Sequence, residues 1–583
     1  MTKISPTKTV SLDASQIARL EQQGCQSPDW TRVMVSDKTD LSLVRGVRFY
    51  GDVQIGELQS DAEHLQGIYN AVVRDCVIGD NCYISNVAGE MRGCTVGKRV
   101  RIENVGRIVF DAEADCGQGV AVGVFDETGS RPVYIYPGLT AQMASLMAYK
   151  PRWTEEHLHT MLQDYFIENP LPTMIGDDAS VVDTVCMVNV SVDREVAIEG
   201  AVNLRNGAVI NNAPKGSCLA HIGHGVNAEN FIIEDGVVAN GVVMRNCFVG
   251  QGAVLDKGFT AHDSLFFANC ACENGEACAV FAGPYTVTMH KSTLLIGGQY
   301  SFMNAGSGTN SSNHMYKLGP IHWGVMQRGV KTSSGAYMMW GGRVGAFSLL
   351  MGAHKRHADT ALFPFSYLFA DNDGYTIVVP GVMMKSCGLK RDETKWPARD
   401  KRVKKRLPRH DNIVFDVLNP PIVSSMLEAL RVFDELEAKG PESDGMYHYN
   451  GLRIKHSSLI KGREVYRIAV LKYLYDKTRD IDMSTIEAEQ IDWVDLAGQI
   501  MPGSILNDIY EMESLDEISE AFNQAYNDYS SAELRWVKWV LEQGWAEQMP
   551  EAEAAARQFD ADIEADRLRS REMLSQHNNL LSL

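Results

Sequence analysis

The stretch Ile78-Gly79-Asp80-Asn81-Cys82-Tyr83, followed by Ile84, decides the fold of this chain. Its register, an aliphatic residue followed by glycine, returns in four later stretches: Val96-Gly97-Lys98-Arg99-Val100-Arg101, Ile175-Gly176-Asp177-Asp178-Ala179-Ser180, Ile222-Gly223-His224-Gly225-Val226-Asn227 and Val249-Gly250-Gln251-Gly252-Ala253-Val254. This period of six predicts a β-solenoid, in which each coil buries its apolar edge only by stacking on the next coil. We expect the aliphatic residue to point inward and glycine or a small polar residue to form the corner.

The hexads resemble those of the hexapeptide-repeat transferases. That resemblance implies a left-handed, triangular parallel β-helix, which is an exception to the usual right-handed crossover of parallel strands. It also implies acyl transfer from a CoA thioester, with acetyl-CoA or another acyl-CoA as donor and a histidine as general base. Because hexapeptide transferases form trimers, a homo-oligomer, trimer or dimer, is a further expectation.

Helical patterns interrupt and follow the β pattern, so the expected fold is mainly β with α additions. The predicted units are an N-terminal helical lead-in at 1–42, a first β-helix part at 43–137, a helical insertion at 138–170, a second β-helix part with functional loops at 171–389, a basic linker at 390–411 and a C-terminal helical domain at 412–583. A chain of 583 residues is too long for a single core, because single cores stop growing near roughly 250–300 residues.

Composition narrows the classes of function. The net charge of −19 argues against nucleic acid as a partner, since nucleic-acid binding needs a basic face. The N-terminus has no apolar signal region and the chain has no run of 18 apolar residues, so we expect a cytoplasmic protein without a membrane partner. The twelve cysteines are then expected to be reduced thiols.

The polar stretch from Thr286 to Gly324 is the predicted active site. His314 is the preferred general base because the pKa of histidine lies near neutral pH. Asn310 and Asn313 are the expected orienting or oxyanion groups, and His290 is the remaining catalytic candidate. A lone histidine in a glycine-rich coil is, however, more often a turn residue bonded to a backbone carbonyl than a general base.

Positive and aromatic side chains near these histidines predict a small substrate that is anionic or sugar-like. The candidate binding residues are Lys291, Lys317, His322, Trp323 and Arg328. Lys291, Lys317 and Arg328 are the expected anion contacts, whereas Trp323 has a ring able to stack on a sugar or a base.

Two other functions remain open. His354, His357 and Asp359 have nitrogen and oxygen ligands within six residues, which favours a divalent-metal site and a metal-dependent hydrolase or lyase. A non-catalytic binding or scaffold protein is the third possibility. The strings HKSTLL, NAGSGTNSSNHMYKLGP and DTALFPFS, placed between hexads and a helical C-terminus, resemble a bacterial family of hexapeptide-repeat proteins of unknown function. This second resemblance implies the architecture and no reaction.

Overall fold

A computed structural model describes residues 8–60, 65–312 and 323–581. Most of its strands are parallel and lie in three stacked ladders. Ladder 1 consists of Val44–Arg45, Gly67–Tyr69, Tyr83–Val87, Arg101–Val105, Ser180–Val182, Ala197–Glu199, His221–Ile222, Val237–Val238, Val254–Asp256, Ala271–Glu273, Val287–Thr288, Asn304–Ala305, Lys331–Thr332, Leu349–Met351 and Tyr367–Ala370.

Ladders 2 and 3 share their longest strands. Ladder 2 consists of Arg48–Tyr50, Val72–Arg74, Met91–Arg92, Arg107–Val109, Cys186–Val192, Asn203–Ile210, Asn227–Glu234, Val243–Val249, Thr260–Phe266, Glu276–Cys278, Leu294–Ile296, Asn310–Ser312, Tyr337–Met339 and Ala353–His354. Ladder 3 adds Val33–Ser36, Val53–Ile55, Val77–Ile78, Thr95–Val96, Met174–Ile175, Phe281–Ala282, Gln299–Tyr300, Val325–Met326 and Arg343–Val344.

Antiparallel pairs decorate these ladders. They are Thr9–Ser11 with Val33–Ser36, Ala121–Gly123 with Pro132–Tyr134, Tyr367–Ala370 with Thr376–Val379, Met446–Tyr449 with Leu452–Lys455, and Trp493–Leu496 with Gln499–Pro502. Leu452–Lys455 also pairs in parallel with Thr376–Val379. The C-terminal part therefore adds strands to the end of ladder 1.

The hexads occupy the positions that their pattern predicts. Their leading residues, Ile78, Val96, Ile175, Ile222 and Val249, are all fully buried. The fourth residue of each hexad has a positive φ, at Asn81, Arg99, Asp178, Gly225 and Gly252. The glycine in second position is required where backbones approach closely, since a Cβ on Gly79 would lie 2.5 Å from the carbonyl oxygen of Gly97.

Stacked amide side chains stabilise another row of corners. Asn206, Asn230, Asn246 and Asp263 all have positive φ, a conformation that Asn and Asp tolerate better than most residues. Each asparagine donates its side-chain N–H to the next side chain in the row at 2.8 Å. Since each bond joins neighbouring strands of ladder 2, the row holds their register.

Helices pack around the ladders. They are α1 Ala14–Gln22, α2 Ala141–Tyr149, α3 Pro151–Trp153, α4 His159–Glu168, α5 Cys387–Arg399, α6 Lys401–Lys405, α7 Pro420–Lys439, α8 His456–Thr478, α9 Gly503–Ile509, α10 Leu515–Asn527, α11 Tyr529–Val540 and α12 Ala552–Leu581. Among the described helices, none is long and apolar enough to cross a bilayer. The cysteines whose side chains are described are free thiols.

The predicted mixture of parallel β-structure with an inserted helical segment and C-terminal helices is confirmed. Three boundaries differ. Strand pairing already begins at Val33–Ser36, inside the expected lead-in. The expected basic linker at 390–411 contains most of α5 and all of α6, and Arg402 is buried there because Asp400 pairs with it at 2.9 Å. The C-terminal part, 412–583, shares the core of the ladders and is not a separate helical body.

Candidate functional site

The predicted catalytic centre lies mostly outside the described residues. Asn313, His314, Lys317 and His322 belong to 313–322, of which the structure describes nothing. Their assigned roles therefore stay predictions.

Two other predicted catalytic residues lie on different ladders. His290 is exposed in the turn that follows the ladder 1 strand Val287–Thr288, and Lys291 is exposed beside it. Asn310 begins a ladder 2 strand, and its Oδ1 atom is buried without a hydrogen-bond partner among the described residues. The described part of the chain thus brings no second predicted catalytic group next to either residue.

Trp323 and Arg328 were predicted to bind substrate, but each is packed by the protein itself. The Trp323 ring stacks on Phe125 with centroids 4.6 Å apart, and the Arg131 guanidinium lies 4.8 Å from the same ring. The Arg328 side chain is 2% exposed and donates to Asp495 at 2.8 Å. Arg328 therefore joins the ladders to the hairpin of Trp493–Leu496 and Gln499–Pro502, and its role as an anion contact stays a prediction.

The predicted metal ligands each have a separate partner. His354 is fully buried, with Nδ1 2.7 Å from the Thr376 hydroxyl and Nε2 3.1 Å from the Met351 carbonyl. His357 bonds the Trp340 carbonyl, and Asp359 pairs with Arg343 at 2.9 Å. Burial lowers the pKa of His354 to about 4, so it stays neutral as a core residue.

Within residues 8–60, 65–312 and 323–581, no three His, Cys, Asp or Glu side chains gather in a metal-binding arrangement. The metal site at His354, His357 and Asp359 therefore stays a prediction, and the described geometry gives it no support. These residues are close in sequence but lie in different parts of the fold. His354 ends a ladder 2 strand, whereas Asp359 lies in the loop that follows it.

The strongest candidate site is a different histidine with a buried carboxylate. His410 Nδ1 lies 3.3 Å from Oε1 of Glu234, and both residues line a cavity of about 490 Å³. We call it the dyad cavity. Glu234 is only 2% exposed, whereas the His410 side chain is 22% exposed. A carboxylate behind a partly exposed imidazole is the arrangement that orients a general base.

Neighbouring groups hold the Glu234 carboxylate in place. The Gly138 backbone N–H donates to Oε2 at 2.9 Å, and the Asn212 side chain donates to Oε1 at 2.8 Å. Glu234 itself ends the ladder 2 strand Asn227–Glu234. The carboxylate is thus fixed by the ladder on one side and by the start of the helical insertion on the other.

His410 is positioned by a hydrogen bond from its own backbone and by the contacts of the next residue, Asp411. Its backbone N–H donates to Gln251 Oε1 at 3.1 Å, and Gln251 is the third residue of a hexad. The adjacent Asp411 accepts from the Ala141 N–H at 2.7 Å and from the Ala268 N–H at 3.1 Å. Because Ala141 is the first residue of α2, Asp411 satisfies a backbone donor at that helix N-terminus.

The two members of the dyad shift each other's pKa. Burial opposes ionisation of Glu234, yet the charge of His410 and the hydrogen bonds from Gly138 and Asn212 outweigh it and lower the pKa of the carboxyl. Burial likewise opposes protonation of His410, but the charge of Glu234 outweighs it and raises the pKa of the imidazole. The pair therefore favours an ionised carboxylate beside an imidazole of increased basicity.

Sequence reasoning missed this site because its members are far apart along the chain. One signal was available: Glu234 follows Phe231-Ile232-Ile233, at the position where the two neighbouring coils have Ile210 and Gly250. His410 lies near the end of the stretch 390–411, which was predicted to be a basic linker.

Comparison with known proteins assigns the family. The family described as "Domain of unknown function (DUF4954)" matches residues 10–437, which is well over half of the chain, so the protein belongs to it. A second match, "Domain of unknown function (DUF6819)", covers residues 478–564. The first match contains the ladders, α2 and both members of the dyad.

One relative is a Treponema pallidum (strain Nichols) protein printed as "Uncharacterized protein". It is 24% identical over 471 residues, covering 73% of this chain and 61% of the relative. The chain thus spans less than two thirds of that relative's length.

Proposed function

We propose that this protein is a hexapeptide-type enzyme, a left-handed parallel β-helix that transfers an acyl group from a CoA thioester to a small hydroxyl or amino acceptor. The single observation that carries the catalytic part is the buried Glu234 carboxylate directed at His410 in the wall of the dyad cavity. The β-helix part is supported by the three parallel ladders and by the buried leading residue of each hexad.

His410 is the proposed general base. In neutral imidazole, a proton on Nδ1 faces Glu234 and leaves Nε2 as the acceptor atom. Nδ1 lies 3.3 Å from Oε1 and makes no hydrogen bond among the described residues, so the proposal requires a small ring rotation on substrate binding that forms this bond. Glu234 is then a positioning residue that also stabilises the imidazolium.

The proposed step is balanced. His410 Nε2 takes the proton from the acceptor O–H or N–H, and the acceptor atom attacks the thioester carbonyl carbon. The C–S bond then breaks, and the thiolate leaves with the proton returned by His410. The products are the acylated acceptor and free CoA thiol, so no oxidant or reductant is consumed.

His314 remains an alternative base, with Asn310 and Asn313 beside it in sequence. The two assignments make different predictions for single variants. A trimer or dimer also remains a prediction, which light scattering of the full chain checks.

The test is release of free thiol from acetyl-CoA with a panel of amino and hydroxyl acceptors. We expect His410→Ala to lower kcat/KM by about 10²–10⁴-fold, the usual contribution of a general base. The matched control is His262→Ala, because His262 also lies 2.7 Å from a carboxylate, that of Asp263, but sits exposed on ladder 2. It should retain wild-type activity.

Three results would overturn parts of this proposal. Full activity in His410→Ala removes the dyad from catalysis. Activity lost in His314→Ala but kept in His410→Ala returns the role of base to His314. Absence of thiol release with every acceptor rejects acyl transfer itself.

A further inference from the structure

A second cavity lies where the ladders meet α2, α7 and the C-terminal hairpin. Its volume is about 270 Å³, and we call it the junction cavity. Tyr149 closes it from α2, Gln299 and Arg343 come from ladder 3, and Trp493 comes from the hairpin Trp493–Leu496 with Gln499–Pro502. None of the dyad cavity's lining residues is shared with it.

Two polar atoms in this wall are buried without a partner. Among the described residues, neither the Ser301 hydroxyl nor the Trp493 indole N–H makes a hydrogen bond. Ser301 is only 7% exposed. A buried polar group without a partner is destabilising. A ligand atom that forms a hydrogen bond with such a group in a cavity wall removes that cost.

Hydrogen-bond acceptors in the wall are already occupied. Gln299 Oε1 accepts from the Tyr149 hydroxyl, and Gln327 Oε1 accepts from the Ala346 N–H at 3.1 Å. Asp495 accepts from Arg328 at 2.8 Å and from the Gly498 N–H at 2.9 Å. The wall therefore offers mainly donors, including the Trp493 N–H and the two side-chain amides.

The charge of the wall also favours an anion. Arg328 and Asp495 neutralise each other inside the cavity, whereas the Arg343 Nε and Nη2 atoms donate to the exposed Asp359. Exposed pairs of this kind are weak and exchange partners readily. Burial raises the pKa of Tyr149, so this hydroxyl stays neutral and adds no negative charge.

We propose that the junction cavity binds a compact anion, a small molecule whose carboxylate or phosphate oxygens accept hydrogen bonds from Trp493, Ser301 and Arg343. This site is separate from the dyad cavity, and its assignment does not depend on acyl transfer. A donor-rich pocket lined by an arginine whose own ion pair is exposed and weak recognises oxyanions, because charge-assisted hydrogen bonds to them are the strongest available.

Isothermal titration of the full chain with inorganic phosphate, and separately with succinate, tests the proposal. We expect one of the two probes to bind at one site per chain, which also distinguishes phosphate from carboxylate recognition. The Ser301→Ala/Trp493→Phe double variant and Arg343→Gln should each weaken binding by about tenfold or more. Circular dichroism checks that each variant is folded, and Arg343→Gln, on an exposed side chain, keeps the test valid if the double variant does not fold.

Matched controls share the chemistry but lie elsewhere. Arg245→Gln removes another exposed arginine, paired with Glu229 at 3.9 Å, and Trp539→Phe removes another partly buried indole N–H. Both should bind like wild type, as should His410→Ala, so that failure here is separable from failure of the proposed catalysis. No binding of either probe, or undiminished binding in Arg343→Gln, overturns the proposal.

Discussion

The dyad cavity and the junction cavity differ in how their polar groups are satisfied. In the dyad cavity, Glu234 and His410 form an ion pair at 3.3 Å without a hydrogen bond between them, and the Gly138 N–H and the Asn212 amide donate to the carboxylate. In the junction cavity, Ser301 and Trp493 are left without partners among the described residues. Both cavities lie between the ladders and the inserted helical segment, since Gly138 borders the first and Tyr149 the second.

This difference teaches what each cavity is suited to do. An ion pair that is in place before any ligand arrives has its acid–base properties set in advance, which is what a proton-transfer site requires. A wall with unsatisfied donors gains most when a ligand supplies the missing acceptors, which is what a binding site requires. Removing a polar side chain should therefore change mainly the activity and its pH dependence in the dyad cavity, and mainly ligand binding in the junction cavity.

The largest expected effect is on the free energy of unfolding and concerns Arg328. In this arginine of the junction cavity, the Nε, Nη1 and Nη2 atoms each donate a hydrogen bond within the protein. Arg328→Met removes the guanidinium hydrogen bonds to the Val414 and Gly498 carbonyls and to the Asp495 carboxylate. Breaking a buried pair in this way costs about 3–5 kcal/mol of unfolding free energy. Urea denaturation measures this loss.

Arg343→Met is the control for that experiment. Its pair with Asp359 is exposed, so the expected loss is under about 1 kcal/mol. An equal loss of unfolding free energy in the two variants would mean that the buried hydrogen bonds of Arg328 do not stabilise the protein more than the exposed pair of Arg343.

The next largest effect is on the pH dependence of activity. Glu234→Gln removes the negative charge that raises the pKa of His410, so that pKa should fall. Since the base acts in its neutral form, the acidic limb of the rate profile then moves to lower pH. Above that limb the rate should fall by about 10–100-fold, because the imidazolium loses its stabilising partner.

Initial rates between pH 5 and 9 provide the measurement, over roughly the range in which histidine titrates. Glu229→Gln is the control, because Glu229 is an exposed member of a weak pair with Arg245. An acidic limb that stays in place in Glu234→Gln would show that the dyad does not set the basicity of the catalyst.

The smallest effect separates satisfied from unsatisfied hydroxyls. Ser301→Ala removes a buried hydroxyl that has no partner among the described residues, so the free protein should keep its stability or gain up to about 1 kcal/mol. Ser311→Ala removes a buried hydroxyl 2.6 Å from that of Tyr300, and should lose about 1 kcal/mol. Thermal unfolding of both variants tests this, and a clear loss in Ser301→Ala would mean that its hydroxyl is satisfied.

Much of the fold was predictable because the repeat is local. Each leading hexad residue, such as Ile78, needs only the neighbouring strands to be buried, and those strands come from nearby hexads. The basic stretch at 390–411 was misinterpreted because charge alone does not reveal a partner. Arg402 is buried there only because Asp400 and the Asp411 carbonyl accept its hydrogen bonds.

The candidate site was predictable only in part. The metal site predicted at His354, His357 and Asp359 gets no support from the described geometry, because these side chains, although close in sequence, each bond to a different group. Arg328, predicted as an anion contact, lines the junction cavity, but its charge is paired with Asp495.

The sequence by itself determined the parallel repeat, its inward aliphatic residues and the helical insertion and C-terminus, because hexad spacing and helical periodicity are local properties. Only the tertiary structure decided which charged residues meet. Asp411 reaches α2 across 270 residues of chain, and that contact sets His410 beside Glu234. Pairings of this kind depend on how helices dock on the ladders, and such long-range packing leaves no regular spacing in the sequence.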